Sequence, residues 1–135
     1  MRHVSSATGT GGRLGTIEST TGSFRHEVTL PGMKREGVIP EELIAGAWVA
    51  CFGATFIEIA EARKHEVSTV SYEASVVLEA EKDVYTITEA TLDVFAPDIE
   101  RGALIQLIES SHKHCPVSKL LVSGAAKSVE VRAGS

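Results

Sequence analysis

The segment that most constrains the fold runs from Pro40 to Ala62 and carries no charged residue between Leu43 and Ile57. Its apolar residues recur at helical spacing on nearly every side, which predicts one long helix that is buried on nearly all sides. The uncharged run is shorter than the roughly 18 residues that a membrane span needs. We therefore predict a central core helix, with Cys51 near its middle.

Composition limits the other possibilities. A chain of 135 residues is long enough to bury a core, and we predict a single domain over residues 1–135. The net charge of −5 and the absence of a Lys/Arg block argue against nucleic acid and against an anionic membrane as partners. The first residues lack the apolar segment of a secretory signal, and two cysteines without a C-x-x-C motif do not suggest a secreted disulfide scaffold. These features predict a cytoplasmic protein.

Strand patterns flank the long helix. Residues 1–12 predict a loop or a weak edge strand, and Thr16–Thr20 with Phe24–Leu30 predict a hairpin. After the helix, strict alternation predicts a strand from Val70 to Ala80. Its antiparallel partner runs from Val84 to Phe95, with a bulge near Thr88–Ala90.

The last third of the chain predicts a second helix and a closing strand. Pro97 and an Asp98 cap open the helix, which ends near His112–His114. A short segment and a strand at Val129–Arg132 follow. The order βββ-α-ββ-α-β predicts an α+β fold with an antiparallel sheet against two helices.

The two cysteines allow several interpretations from the residues alone. Both fit as small buried hydrophobic residues. Together with His112 and His114 they would also make a Cys2His2 metal set, although this histidine spacing is equally typical of solvated residues. A reactive thiol requires a thiolate, and Cys51 in apolar surroundings would need a nearby cation to form one. Cys115, at the predicted helix C-terminus, faces the negative end of the helix dipole, which disfavours a thiolate.

Three motifs resemble those of one family. The segment IPEELIAGAWVACF, with Glu41 ten residues before Cys51, resembles the N-P-E-x-L…A-C-F signature of the OsmC/Ohr thiol peroxidases. The segment HKHCPVSKLL is similar to the second cysteine motif of that family. The run Thr10-Gly11-Gly12-Arg13-x-Gly15 resembles the T-G-G-R-x-G of its organic hydroperoxide resistance branch. Ile39 in place of Asn and the sequence CPVSK in place of CPYSN leave the branch open between OsmC and Ohr.

The resemblance implies a specific set of roles. Cys51 would be the peroxidatic cysteine and Cys115 the resolving one. Arg13 would hold Cys51 as a thiolate, and Glu41 would position Arg13. The implied activity is the reduction of organic hydroperoxides through a Cys51 sulfenic acid and a Cys51–Cys115 disulfide, without a cofactor or metal. The implied reductant is a small dithiol such as dihydrolipoamide, or a thiol reductase.

The family's fold implies antiparallel sheets wrapped around central helices in an intertwined homodimer, which suits a helix too apolar for one small chain to cover. Trp48, Phe52 and Phe56 lie about a helical turn from Cys51 and are candidates for the walls of a substrate pocket, besides packing in the core. The alternative function is a redox-sensing or ligand-binding module without turnover.

Overall fold

The computed structural model describes residues 1–11, 14–124 and 126–135, so Gly12 and Arg13 of the first predicted motif lie outside the described residues. The chain divides into two units, residues 1–43 and residues 44–135. The single domain over residues 1–135 stays a prediction.

The first unit contains a three-stranded antiparallel sheet. Its strands are β1 (Ala7–Thr10), β2 (Thr16–Ser19) and β3 (Arg25–Glu27), in the order β1-β2-β3. The predicted hairpin between β2 and β3 is confirmed, and the predicted weak edge strand is β1. Strand β3 is shorter than predicted because Val28 leaves the sheet and forms a parallel bridge with Val38.

The long helix α1 spans Pro40–Ala62, as predicted. Within residues 44–135 it buries one face, formed by Trp48, Phe52, Gly53, Phe56 and Ala60. The other side carries small residues that are exposed in the single chain. The prediction of burial on nearly all sides is therefore wrong for one chain by itself. These exposed small residues are Gly46, Ala47, Ala50 and Ala54.

By length and composition alone, α1 could also cross a membrane. The core helix of a soluble protein meets the same criterion, and the aromatic face of α1 packs in the core of residues 44–135. We therefore interpret α1 as a core helix.

The second unit contains a mixed three-stranded sheet. Strands β4 (Ser71–Glu81) and β5 (Val84–Phe95) are antiparallel, and the predicted bulge is confirmed, because the register shifts at Thr88. Strand β6 (Ser128–Ala133) pairs with β5 in parallel, whereas we predicted an antiparallel sheet. A parallel neighbour requires a crossover connection, and the helices between β5 and β6 provide it.

Those helices are α2 (Arg101–His114) and α3 (Pro116–Val122). Glu100 caps α2 by accepting hydrogen bonds from the backbone N–H groups of Gly102 and Ala103, at 2.8 and 2.9 Å. The predicted Asp98 cap is wrong because its carboxylate instead accepts a hydrogen bond from Thr69 Oγ1, at 2.6 Å. Helix α2 buries Leu104, Leu107 and Ile108 against the core.

An aromatic cluster holds α1 against β4. Phe52 and Phe56 stack with ring centroids 6.1 Å apart, and both meet the ring of Tyr72 edge-on at 6.2 and 6.1 Å. Gly53 permits this approach, because a Cβ at that position would lie 3.2 Å from the Tyr72 ring. The cluster fixes the part of α1 that carries Cys51.

Candidate active site

The structure brings the two cysteines together. Cys51 lies at the middle of α1 and is partly buried, and Cys115 lies fully buried between α2 and α3. Both are free thiols, and the Cys115 thiol lies near enough to the Cys51 thiol to raise its pKa. Residues 64 positions apart in sequence thus form a dithiol pair in the core of residues 44–135.

Cys115 differs from its predicted environment. It does end α2, but it is also the N-cap of α3, and its Sγ accepts a hydrogen bond from the backbone N–H of Ser118 at 3.4 Å. Pro116 begins α3, since a proline suits the first helical position. The expectation that Cys115 faces only the negative end of a helix is therefore corrected.

The environment of Cys51 favours the protonated thiol. Burial raises the pKa of Cys51 most, the backbone N–H of Val117 opposes this effect, and the neighbouring Cys115 thiol raises the pKa further. Among the residues that the structure describes, none is a cation that lowers the pKa of Cys51. A reactive Cys51 consequently needs a positive charge from elsewhere.

Glu41 lies in the first turn of α1 and has an unusual environment. Its Oε2 atom is buried and has no hydrogen-bond partner among the described residues. Burying a carboxylate oxygen without a hydrogen-bond donor lowers the stability of the fold, so this atom requires a cation or another donor as its partner. Arg13, the partner implied by the family resemblance, lies outside the described residues.

The three aromatic residues near Cys51 lie in the core. Trp48, Phe52 and Phe56 are each 0% exposed. Trp48 Nε1 donates a hydrogen bond to Ser118 Oγ at 2.9 Å. In the single chain these side chains pack the interior, and their role as pocket walls stays a prediction.

Two further residues of the site were not anticipated. Ser118 joins Trp48 to the backbone next to Cys115, and its position three residues after Cys115 was the available signal. Tyr72 packs on the aromatic face of α1, and its buried hydroxyl has no partner in the described part of the chain. Burial raises the pKa of Tyr72 to about 12, so this phenol stays protonated.

Of the alternative metal set, the structure brings together the two cysteines without the histidines. Within residues 1–11, 14–124 and 126–135, no three His, Cys, Asp or Glu side chains are arranged to hold a metal ion. His114 is exposed and its Nδ1 hydrogen-bonds the carbonyl oxygen of Ser110 at 2.7 Å. Burial lowers the pKa of His112, which favours the neutral imidazole.

Comparisons with known proteins place this geometry in context. Residues 33–131 match the family described as OsmC-like protein. The organic hydroperoxide resistance protein OhrB of Bacillus subtilis is 30% identical over 115 residues, which cover 83% of this chain and 85% of OhrB. The crystal structure of OhrB covers 98% of both chains, with a TM-score of 0.86 and 27% identity. An organic hydroperoxide resistance protein from Legionella pneumophila has the same fold, with a TM-score of 0.86, 23% identity and 98% of both chains covered.

Proposed function

This chain belongs to the family of OsmC-like proteins, and from that premise we propose that it is a cysteine-dependent peroxidase that reduces organic hydroperoxides. Its relatives are named for organic hydroperoxide resistance, which supports a function related to hydroperoxides. The observation that carries the proposal is the placement of the Cys51 and Cys115 thiols beside one another. Such a pair suits a two-step thiol cycle.

In the first step, the Cys51 thiolate attacks the outer oxygen of the hydroperoxide. The O–O bond breaks, an alkoxide leaves and takes up a proton, and Cys51 becomes a sulfenic acid. In the second step, the Cys115 sulfur attacks the sulfenic sulfur, the S–O bond breaks and water leaves. The product is a Cys51–Cys115 disulfide, and a small dithiol such as dihydrolipoamide, or a thiol reductase, returns it to two thiols.

Arg13 and Glu41 complete the proposed site. Cys51 needs a cation that the described residues do not supply, and Glu41 carries a buried carboxylate oxygen without a described partner. One arginine would satisfy both needs, because its planar guanidinium stays charged and donates in several directions. Arg13 would then stabilise the Cys51 thiolate and the departing alkoxide, while Glu41 would hold the guanidinium in place. This chemistry requires no cofactor or metal.

A reduced-dithiol assay tests the proposal against the alternative of a redox-sensing or ligand-binding module. The peroxidase oxidises dihydrolipoamide in many turnovers when a hydroperoxide is present, whereas a module without turnover consumes at most one equivalent. The Cys51→Ser variant provides the blank. Stoichiometric consumption by wild type, with no further dithiol oxidation, would favour the module.

We expect this enzyme to prefer bulky organic hydroperoxides to hydrogen peroxide. Cys51 packs against an apolar core cluster that includes Trp48, Phe52 and Phe56, which are the proposed pocket walls. Burying each CH₂ of a substrate contributes about 0.8 kcal/mol, so kcat/KM for cumene hydroperoxide should exceed that for hydrogen peroxide at least about tenfold. Equal kcat/KM values for the two peroxides would contradict an apolar site.

We also propose that the protein works as a homodimer in the cytoplasm. The exposed side of α1 consists of small, uncharged residues over more than two turns, which one chain leaves open to water. A second copy of the chain, as the family's fold implies, would cover this surface by close helix packing. The acidic net charge of −5 gives no support to nucleic acid or an anionic membrane as the partner.

The dimer predicts a specific sedimentation result. Wild type should sediment at twice the chain mass of 14.4 kDa, and Ala54→Glu should shift the equilibrium toward the single chain. Glutamate is a good helix former, so this change adds a charge to the surface with little cost to α1 itself. Ala80→Glu, at another exposed alanine on β4, is the matched control and should remain dimeric. Wild type sedimenting as a single chain would refute the dimer.

A further inference from the structure

A buried side-chain hydrogen bond joins the two segments that carry the cysteines. Trp48 on α1 lies one helical turn before Cys51, and Ser118 in the first turn of α3 lies three residues after Cys115. Trp48 Nε1 donates to Ser118 Oγ at 2.9 Å, and both side chains are 0% exposed. The contact therefore ties α1 to α3 without involving either sulfur atom.

Ser118 is the fully buried contact of α3 with the core, and the partly buried Val117 and Leu121 pack beside it. Helix α3 has seven residues, too few to be stable by local interactions alone. All seven are described, and Ser118 is the one buried residue among them, while Leu120 and Val122 are exposed. Removing the Ser118 hydroxyl would also leave the indole N–H of Trp48 unpaired in the core.

The backbone of the first turn of α3 also contacts both sulfur atoms. The backbone N–H of Ser118 donates to Cys115 Sγ at 3.4 Å, and the backbone N–H of Val117 faces the Cys51 thiol. A displacement of this turn would thus change the distance and orientation of the Cys115 thiol relative to the Cys51 thiol. It would leave the position of Cys51 on α1 unaltered. For the first reaction with peroxide, it would change only the contact between the Val117 N–H and the Cys51 thiol.

We infer that the Trp48–Ser118 hydrogen bond positions Cys115 for disulfide formation with Cys51. This inference rests on the proposed peroxidase function and concerns its second step. In that step the Cys115 thiol gives up its proton, its sulfur bonds to Cys51 Sγ, and the sulfenic oxygen leaves as water. Ser118 and Trp48 touch no reacting atom with their side chains; they act by setting the effective concentration of one thiol near the other.

The first test measures the thiol–disulfide equilibrium in glutathione redox buffers, where no peroxide is involved. Ser118→Ala should lower the equilibrium constant for the Cys51–Cys115 disulfide about tenfold, because a less firmly held α3 lowers the effective concentration of the Cys115 thiol at Cys51. The matched control is Ser111→Ala, which removes a buried serine hydroxyl that donates to the carbonyl oxygen of Leu107 within α2 at 2.7 Å. It should leave this equilibrium unchanged. Equal equilibrium constants in wild type and Ser118→Ala would overturn the inference.

A double-mutant cycle separates the contact from general loss of packing. Trp48→Phe removes the indole N–H, and adding Ser118→Ala to it should lower the equilibrium constant by much less than Ser118→Ala does alone. Additive effects of the two substitutions would overturn the inference.

The second test follows one turnover after mixing with cumene hydroperoxide. Trapping with a sulfenic acid reagent should show a Cys51 sulfenate that persists about tenfold longer in Ser118→Ala than in wild type. On a Cys115→Ser background, Ser118→Ala should slow sulfenate formation much less than it prolongs the sulfenate, because the Val117 N–H is the smaller of the two main influences on the Cys51 thiol. A first step slowed as much as the second would show a role in peroxide attack and overturn the inference. If no variant reacts with peroxide, the proposed function fails, and the glutathione equilibrium still decides whether the contact positions the thiols.

Discussion

Replacing Cys51 with serine is expected to abolish hydroperoxide turnover, whereas Cys115→Ser is expected to consume about one equivalent of peroxide and then stop. Cys51 is the partly exposed thiol of the pair, and Cys115 is fully buried, so peroxide reaches Cys51 more readily. Without Cys115, the Cys51 sulfenic acid has no adjacent thiol with which to condense. Stopped-flow peroxide consumption and intact-protein mass spectrometry measure both results.

The same pair of variants tests the order of the two cysteines. The Cys115→Ser protein should carry a sulfenic acid that a dimedone-type reagent traps on Cys51. With excess peroxide it should proceed to sulfinic acid, because no disulfide protects it. A sulfenate found on Cys115 in the Cys51→Ser variant would reverse the assignment of the peroxidatic and resolving roles.

Removing the charge of Arg13 is expected to produce the second largest loss of activity. Burial already raises the pKa of Cys51, so the loss of a neighbouring cation should raise it further and leave less thiolate at neutral pH. We expect Arg13→Ala to lower kcat/KM about a hundredfold, since it would also remove a donor to the departing alkoxide. The free energy of unfolding should change little.

Graded substitutions identify how Arg13 acts. Arg13→Lys should recover part of the activity, because an ammonium restores the charge but not the planar fork. Glu41→Ala should give an intermediate loss, since it would loosen Arg13 without removing its charge. Arg25→Ala, on the exposed strand β3, is the matched control and should behave as wild type.

The pH dependence of Cys51 alkylation provides the direct measurement. All variants are compared on a Cys115→Ser background, so that one thiol is observed. The alkylation profile of Arg13→Ala should lie at higher pH than the profile of the protein that retains Arg13. The profile of Arg25→Ala should coincide with that of the protein that retains both arginines. An alkylation pKa that is the same with and without Arg13 would exclude Arg13 as the activating cation.

The sequence predicted the regular elements well where the signal was local. The bounds of α1 follow from a proline at its start and an unbroken apolar run, and the bounds of β5 follow from alternation between turn residues. The cap of α2 was predicted wrongly, because Asp98 is of the residue type that N-caps favour, whereas Glu100 caps the helix in the structure. The Asp98 carboxylate instead accepts a hydrogen bond from Thr69, which lies 29 residues away in sequence.

The sequence by itself determined that this chain forms a long apolar helix with a cysteine at its centre, and motif resemblance indicated which second cysteine belongs with it. The tertiary structure decided which distant parts of the chain contact one another, which the spacing of residues in the sequence does not specify. It placed Cys115 against Cys51, turned the residues after Pro116 into α3, and paired β6 with β5 in parallel. The physical reason is that helix and strand signals arise from neighbouring residues, whereas a thiol's environment and a strand's partner depend on contacts between residues far apart in the chain.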